Sequence, residues 1–471
     1  MTPVWVEVRP GTYRDSVTLM RISRDLTTTP GVDHAMIAMA TGLNRDLVTR
    51  LGFTVPDGAG PDDLLIAVRG GETALAAART RLETALVPPP SPASAAVTEV
   101  PPRTVGAAVR DGETATLALI SVPGDHAFPE ALDAIEAGVD VMVFSDNMPV
   151  RQEAALKRAS ARRGRLVMGP DCGTAVVGGV ALGFANVTRP GPVGVVAASG
   201  TGAQQVMCLL DEAGVGVSHV LGVGGRDLSA EVGGLSTRAA LDLLDADPAT
   251  ERIMLIAKPP DPRVAATVRA HAQGLRTPVR NALQGTGGTD LTAATRGMLA
   301  DLGVPVPAWP VWPGPAQSPR PGRLRGLFSG GTLCAEAAAI AGDRADAMID
   351  FGDDHLTRGR AHPMIDPTLR LERLAEEAAD PRCAVLLLDV VLGHGADPDP
   401  AATLAPAIAA ARTRAASEGR DLAVVVSLCG TAADPQDRSA TATRLASAGA
   451  RVFTSNADAA HHATALIEPP P

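Results

Sequence analysis

Residues 191–205 combine residue types that could bind an anion, because a short apolar run is followed by a turn of small polar residues. Residues 193–198 have the composition of a buried parallel strand, and a helical pattern begins at Ala203. The turn between them consists of Ser199, Gly200, Thr201 and Gly202. This arrangement would place free backbone N–H groups and the positive end of a helix at one point, which suits a phosphate or carboxylate. Simple tight packing is the alternative interpretation.

A second turn of the same kind follows residues 324–328 and precedes an alanine-rich helical pattern. It consists of Ser329, Gly330, Gly331 and Thr332. Further landmarks recur in the same order at offsets of roughly 125–145 residues, as a duplication requires. They are the segments 222–227 and 349–354, Asp-Pro at 247–248 and 380–381, and Gly-Thr at 285–286 and 430–431. The repeat predicts two similar α/β domains whose helix N-termini could face one anion.

The composition excludes several classes of function. The chain has 471 residues, enough for about three domains. Its 42 basic and 52 acidic residues give a net charge of −10, which argues against a nucleic-acid partner. No apolar run approaches the roughly 18 residues of a membrane span, and the first residues do not form a signal peptide. Five scattered cysteines fit a reducing cytosol, so we expect a cytoplasmic protein without a membrane partner.

The pattern of strands and helices predicts an α/β protein with a Rossmann-like half-sheet, two flavodoxin-like parallel-sheet domains and a small N-terminal α+β domain. The predicted parts are an α+β domain of ferredoxin-like or regulatory type (1–86), a Pro/Ala-rich linker (87–106), the half-sheet (107–190), the first repeat (191–304), a Pro-rich linker (305–322) and the second repeat (323–471). The first strand of the half-sheet ends in Val-Pro-Gly-Asp-His at 122–126 rather than in G-x-G-x-x-G, so NAD is not expected.

Charged residues cluster where strands of the repeats are predicted to end, and open α/β sheets bind ligands there. The candidate substrate-binding residues are Arg226, Asp227, Asp353, Asp354, Arg358, Arg360 and Asp389. The candidates for catalysis are Lys258, which ends another predicted strand, and His355, His362 and His394, which could transfer protons. The spacing of the His and Asp residues matches no familiar metal-ligand set, and we predict no metal.

Several motifs extend over nearly the full chain beside the two turns. They are Gly-Pro-Asp-Cys-Gly-Thr (169–174), Leu-Gly-Phe-Ala-Asn (182–186), Gly-Gly-Arg-Asp-Leu (224–228), Lys-Pro-Pro (258–260), Gly-Asp-Asp (352–354) and His-Pro-Met-Ile-Asp-Pro (362–367). In these motifs the chain resembles the FdrA family. FdrA proteins are in turn similar to a rearranged succinyl-CoA synthetase, in which two matching helix N-termini flank a phosphohistidine. The resemblance implies that the turns at 199–202 and 329–332 are phosphate cradles.

The chain departs from the synthetase pattern in features that the synthetase reaction needs. Residues 284–289, where the phosphohistidine should lie, contain no histidine, and Lys258 stands where the synthetases carry a glutamate. His271, in the preceding helical pattern, is a poor substitute. The early Gly-rich loop of the CoA site and an ATP-grasp domain also have no counterpart. These departures suit a bound acyl phosphate whose phosphate leaves without a covalent relay.

The family resemblance implies a specific reaction. FdrA proteins are associated with oxamate carbamoyltransferase in anaerobic allantoin degradation, where they act with separate partner subunits. Carbamoyl phosphate would be the donor and oxamate the acceptor, giving oxalurate and phosphate, or the reverse. The alternatives are an acyl-CoA synthetase component that binds CoA and a non-catalytic scaffold or regulatory subunit. A homo-oligomer is compatible with each of them.

Overall fold

The computed structural model describes residues 2–87, 102–111, 115–283, 289–357 and 359–468. Its strands are β1 (Val4–Arg9), β2 (Val32–Met39), β3 (Leu64–Gly70), β4 (Leu117–Ile120), β5 (Asp140–Val143), β6 (Val167–Met168), β7 (Thr174–Val177), β8 (Val180–Gly183), β9 (Pro190–Ala198), β10 (Val217–Gly222), β11 (Arg252–Ala257), β12 (Val279–Leu283), β13 (Val311–Trp312), β14 (Arg323–Phe328), β15 (Ala345–Asp350), β16 (Cys383–Val391), β17 (Ala423–Cys429) and β18 (Ala450–Phe453). Its helices are α1 (Ser16–Thr27), α2 (Gly42–Arg50), α3 (Glu72–Leu86), α4 (Val105–Asp111), α5 (Gly124–Glu136), α6 (Val150–Arg162), α7 (Gly200–Glu212), α8 (Leu235–Ala246), α9 (Pro262–Gln273), α10 (Leu291–Asp301), α11 (Gly331–Ala341), α12 (Asp354–Thr357), α13 (Thr368–Ala379), α14 (Pro400–Ser417), α15 (Arg438–Ser447) and α16 (Asn456–Ala465).

The chain divides into two compact units. One unit comprises Met1–Pro101 together with the later segment Asp353–Pro367, and the other comprises Pro102–Gly352 and Thr368–Pro471. The segment Asp353–Pro367 therefore belongs to the N-terminal unit although the second repeat supplies it. Most of the predicted linker 87–106, the Gly-Thr landmark at 285–286 and Arg358 lie outside the described residues.

The N-terminal unit is built on an antiparallel sheet in the order β1-β3-β2. Successive side chains of a strand point to opposite faces, and the central strand β3 is buried on both. Leu64, Ile66 and Val68 pack with α1 and α3, while Leu65 and Ala67 join a second cluster that contains Val48 of α2. The sheet thus has a covered face on each side.

The second unit holds three further sheets. The half-sheet is parallel in the order β4-β5-β6, and the two repeats follow as sheets in the orders β12-β11-β9-β10-β7-β8 and β13-β18-β17-β16-β14-β15. Their parallel strands share the order second-first-third-fourth, which is the flavodoxin-like arrangement, so the predicted fold class is confirmed. The sequence did not predict the antiparallel hairpin β7–β8 at the edge of the first repeat, nor helix α4, which begins inside the predicted linker.

Both repeats place their first turn at a topological switch point. The first parallel strand of each repeat, β9 or β14, lies between the second and third parallel strands. The helix that follows it therefore starts where the order of the strands reverses. Doubly wound sheets bind ligands at this point, outside the carboxyl ends of the strands. The fold therefore puts Ser199–Gly202 and Ser329–Thr332 at the expected binding edge of each sheet. Among the described residues, no helix is long and apolar enough to cross a membrane.

Candidate anion-binding site

The two Ser/Gly/Thr turns face each other across the boundary between the repeats. A β-carbon added to Gly330 would lie 2.8 Å from Thr201 Oγ1, and one added to Gly202 would lie 3.0 Å from Thr332 Cγ2. Each threonine thus packs on a glycine of the opposite turn, and a larger residue at either glycine would push the turns apart. The structure therefore brings the N-termini of α7 and α11 together. We call this arrangement the facing turns.

Some backbone N–H groups of the facing turns already donate hydrogen bonds within the chain. Ser199 caps α7, because its Oγ accepts a hydrogen bond from Gly202 N at 3.0 Å. In the second turn Ser329 N and Gly330 N each donate to a carboxylate oxygen of Asp389 at 2.8 Å. Helix α11 has no side-chain cap, because its N-cap residue is Gly330. The N–H groups of its first turn point out of the helix N-terminus.

Asp389 is a buried internal ligand of the second turn. It has no exposed surface, and its carboxylate lies 3.0 Å from Arg370 Nη1. Arg370, which is also buried, donates to Ser329 Oγ and to the backbone oxygen of Asp389. Burial raises the pKa of the Asp389 carboxyl, while the Arg370 guanidinium and the two backbone donors oppose that rise. The predicted substrate-binding residue therefore shapes the turn, and Arg370 has no sequence signal that would have revealed its part.

One side chain of the facing turns has an unmet polar group, and a lysine lies beside it. Thr332 is 1% exposed, and its hydroxyl has no hydrogen-bond partner within the part of the chain that the structure describes. Lys258 follows β11, and its Nζ would lie 2.6 Å from a β-carbon on Gly331, the first residue of α11, where the Asp350 carboxylate also converges. A cation beside a helix N-terminus is repelled by the helix dipole. The Asp350 carboxylate balances part of this positive charge, and a bound anion would balance the rest.

Comparisons with known proteins place this chain. Residues 327–466 match the family described as CoA-ligase, and residues 1–101 match the family described as AllF, heavy metal-associated domain. The protein YahF of Escherichia coli (strain K12) is 36% identical over 492 residues, which cover 92% of this chain and 92% of YahF. The chain belongs to the YahF family.

Partial matches connect this YahF-family chain to CoA ligases. Succinate–CoA ligase subunit alpha 2 of Archaeoglobus fulgidus is 31% identical over 153 residues, 32% of this chain and 52% of that subunit. The malate–CoA ligase subunit alpha of Methylorubrum extorquens is 28% identical over 162 residues, which are 33% of this chain and 53% of that subunit. This chain therefore spans about half the length of these ligase subunits. The solved structure of a dinucleotide-forming acetyl-coenzyme A synthetase 1 from Ca. Korarchaeum cryptofilum is 18% identical in sequence. The match covers 77% of this chain and 84% of that one, with a TM-score of 0.31.

The N-terminal match names a heavy metal, and the residues present do not fit one. Residues 1–101 contain no cysteine and one histidine, His34, which is exposed. Across the described ranges no group of three or more His, Cys, Asp or Glu residues could hold a metal ion. Soft transition metals select thiolate and imidazole ligands, so this domain lacks the donor set that such an ion needs.

Arg226 and Asp227 of the YahF-family chain belong to a buried ionic network. Lys157, which has no exposed surface, donates from Nζ to Asp227 at 2.8 Å and to Glu153 at 2.9 Å. Asp227 also accepts from Thr237 N at 2.9 Å and so caps α8. Arg226 Nε donates to Glu153 Oε2 at 3.0 Å. The structure therefore places these two predicted substrate-binding residues in bonds that hold the loop after β10.

The predicted cluster at 353–362 lies in the N-terminal unit. Asp353 and Asp354 are exposed at the start of α12, and the exposed His355 pairs with Asp353 at 2.6 Å. His362 Nδ1 accepts a hydrogen bond from Met364 N at 3.3 Å, and desolvation lowers the pKa of His362 to about 4. His362 is therefore neutral at pH 7. An imidazole with this pKa is a weak proton acceptor at that pH.

Arg360 holds the segment to α2 rather than pointing to solvent. Its Nη2 donates to Asp366 at 2.8 Å and its Nη1 to Asn44 Oδ1 at 3.3 Å. Asn44, which is fully buried, donates from Nδ2 to Met39 O and to Gly359 O, each at 2.9 Å. Asn44 therefore ties the segment Asp353–Pro367 to the N-terminal domain.

We expect Asn44→Ala to release this segment. The substitution leaves Gly359 O and the Arg360 guanidinium without their buried partner, at a cost of about 1–3 kcal/mol. Tryptic cleavage within residues 353–367 should then become about tenfold faster or more, because local opening becomes easier. Thr49→Ala, on an exposed position of the same helix, is the matched control. An unchanged cleavage rate in Asn44→Ala would contradict this role.

His394 lies in the second unit, on the rim of a surface cleft of about 490 Å³. Its backbone N–H donates to Ala185 O at 2.8 Å, and its exposed side chain joins Asn186 and Arg189 in the lining. Hairpin β7–β8, which the sequence did not predict, forms one wall of this cleft. Of the three predicted histidines, two thus lie in the N-terminal unit and one beside this cleft.

Proposed function

We propose that this chain binds the phosphate group of an acyl phosphate between the facing turns, and that it is the FdrA-type subunit of a carbamoyltransferase. In this proposal carbamoyl phosphate is the donor, oxamate is the acceptor, and oxalurate and phosphate are the products. Separate partner subunits would complete the enzyme. The YahF-family relationship, the CoA-ligase match and the AllF-type N-terminal match support a role of this kind.

One observation carries the proposal: the Lys258 ammonium group lies at the N-terminus of α11, opposite the N-terminus of α7. The Lys258 ammonium group and the N-termini of both helices converge there beside the Asp350 carboxylate. The Thr332 hydroxyl adds a buried donor that has no partner among the described residues. When the carbamoyl carbon is attacked by the acceptor nitrogen, the bond to phosphate breaks and negative charge builds up on the phosphate oxygens. Preorganised donors that stabilise this charge lower the barrier for its departure. Lys258 and the first turns of both helices would supply them.

A second candidate is an acyl-CoA ligase component, which the match of residues 327–466 to the CoA-ligase family favours. It predicts that the chain binds CoA. Residues 284–289 contain no histidine for a phosphoenzyme relay, so the ligase reaction would need another carrier. Titration with CoA separates the two proposals.

We expect isothermal titration calorimetry of the full chain to show saturable binding of carbamoyl phosphate and of inorganic phosphate. Lys258→Met should weaken both affinities by about tenfold or more, because a charge-assisted hydrogen bond contributes about 1.5–3 kcal/mol. Thr332→Val should weaken them as well. Arg263→Met is the matched control, since this nearby side chain is 86% exposed. Binding of CoA alone, or phosphate binding that survives Lys258→Met unchanged, would refute the transferase proposal.

A further inference from the structure

We propose that Lys258 is a covalent acylation site, whose side-chain amine accepts the acyl or carbamoyl group of an acyl phosphate held at the facing turns. This inference rests on the proposed function, because the donor must bind there. Lys258 is exposed, and its Nζ lies over the first residue of α11. A phosphate on that helix N-terminus would hold its acyl carbon within reach of the amine. Positioning of this kind replaces a bimolecular encounter and accelerates the reaction.

The chemistry needs no further reactant. The ammonium group of Lys258 first gives a proton to water. The neutral amine then attacks the acyl carbon, and a C–N bond forms while the C–O bond to phosphate breaks. Phosphate leaves with the electron pair of that bond, and the proton lost from Nζ passes to the departing phosphate or to water. The product is a carbamoyl-lysine from carbamoyl phosphate, or an acetyl-lysine from acetyl phosphate. The carbamoyl group is then held in a urea linkage and the acetyl group in an amide. Neither linkage passes the group on to a new acceptor.

Acylation of Lys258 would weaken phosphate binding at the facing turns. It removes the only lysine charge at the facing turns, since the chain has two lysines and the other, Lys157, has no exposed surface. Without that charge the affinity for phosphate should fall as it does in Lys258→Met. The reaction competes with transfer to the proper acceptor, so Lys258 is acylated when donor is present and acceptor is scarce. When the acceptor is scarce, acylation of Lys258 thus lowers the binding of further acyl phosphate.

The sequence provides its own reference amine. The α-amine of the purified chain serves as the reference, whereas Lys157 is bonded to Glu153, Asp227 and Val223 O. The full chain is incubated with acetyl phosphate or carbamoyl phosphate, and peptide mass spectrometry measures acylation of each amine over time. Cyanate, which forms from carbamoyl phosphate and modifies amines without needing a phosphate site, is run as a separate arm.

We expect Lys258 to be acylated by acetyl phosphate at least about tenfold faster than the α-amine, because only Lys258 has a positioned donor. Inorganic phosphate should slow the reaction at Lys258 and leave the α-amine unaffected. Thr332→Val, which keeps Lys258, should slow it too, whereas the exposed Thr267→Val should not. With cyanate, phosphate and Thr332→Val should have no effect on Lys258.

Equal rates at Lys258 and the α-amine, or no protection by phosphate, would overturn the acylation site. If calorimetry still shows binding of phosphate and carbamoyl phosphate in that case, the proposed function stands and only the acylation fails. If calorimetry shows no anion binding, both proposals fail together. The two measurements therefore distinguish the two failures.

Discussion

Replacing Lys157 with methionine should lower the free energy of unfolding by about 3–5 kcal/mol. Methionine keeps the length and apolar stem of lysine but has no charge. Glu153 and Asp227, which are 1% and 0% exposed, would then keep buried carboxylates without their shared cation. Val223 O would lose its donor as well, because Lys157 Nζ donates to it at 2.8 Å. A buried charge that loses its partner costs far more than a surface pair.

Urea unfolding followed by circular dichroism measures the effect. The chain has more than one unit, so the comparison uses the midpoint and slope of the transition that changes. Arg163→Met is the control, because Arg163 forms an exposed pair with Glu136 at 3.6 Å and should cost less than about 1 kcal/mol. A loss of similar size in both variants would show that the network contributes no more than a surface ion pair.

Local sequence predicted the two turns, because the strand, turn and helix start of each are adjacent in the chain. A small apolar run, a turn rich in glycine and a helix start follow each other within about 15 residues, and the duplication repeats the pattern. Each helix N-terminus then falls at the switch point of its sheet, since the strand order of the repeats is the same. The position of Lys258 at the end of the neighbouring strand β11 follows from the same rule.

The partners of the charged residues could not be predicted, because they come from distant parts of the chain. Asn44 and Gly359 are 315 positions apart, and Lys157 and Asp227 are 70 apart. Lys157 stands in a helix between alanines and arginines, where a lysine usually lies on a solvated face. Asp389 accepts hydrogen bonds from the backbone of the second turn. Its local sequence is the same as that of a strand-end acid that binds substrate. Only the tertiary fold assigns these residues to structure rather than to ligand binding.

Glu336 should make the stability of the chain depend on pH near neutrality. It lies on α11, is 3% exposed, and accepts hydrogen bonds from Leu291 N at 2.6 Å and from Asn456 Nδ2 at 2.7 Å. Burial raises the pKa of its carboxyl to about 7, and the two donors only partly oppose the rise. The folded chain therefore keeps a proton on Glu336 at pH values where the unfolded chain has released it.

The sign follows from proton counting. Between about pH 4.5 and pH 7 the folded state binds more protons than the unfolded state, so stability falls as pH rises through this window and levels off above it. A pKa unit corresponds to about 1.4 kcal/mol, so the loss due to Glu336 between pH 5 and pH 8 should be about 2–3 kcal/mol. The protonated form contributes its full stability below the pKa of an unfolded glutamate.

Glu336→Gln should remove this dependence, because the amide imitates the protonated acid at every pH. Its oxygen can accept from Leu291 N. Its N–H group takes the place of the oxygen that accepts from Asn456 Nδ2, so the Asn456 amide turns over and accepts with Oδ1, which has no partner among the described residues. The variant should match the natural chain near pH 5 and exceed it by about 2–3 kcal/mol at pH 8. The exposed Glu251→Gln should show the same pH profile as the natural chain.

Measuring unfolding free energies of the three chains from pH 5 to pH 8 isolates Glu336, since the natural chain and Glu336→Gln share every other titrating group. A constant difference between Glu336→Gln and the natural chain would contradict a raised pKa, because a fixed offset reflects packing rather than a proton. Helix α11 also carries Thr332, about one turn before Glu336. A charge that appears on Glu336 is therefore on the same helix whose N-terminus is proposed to bind phosphate. If phosphate affinity follows the same pH profile in the natural chain and becomes flat in Glu336→Gln, the helix couples the buried acid to the anion site.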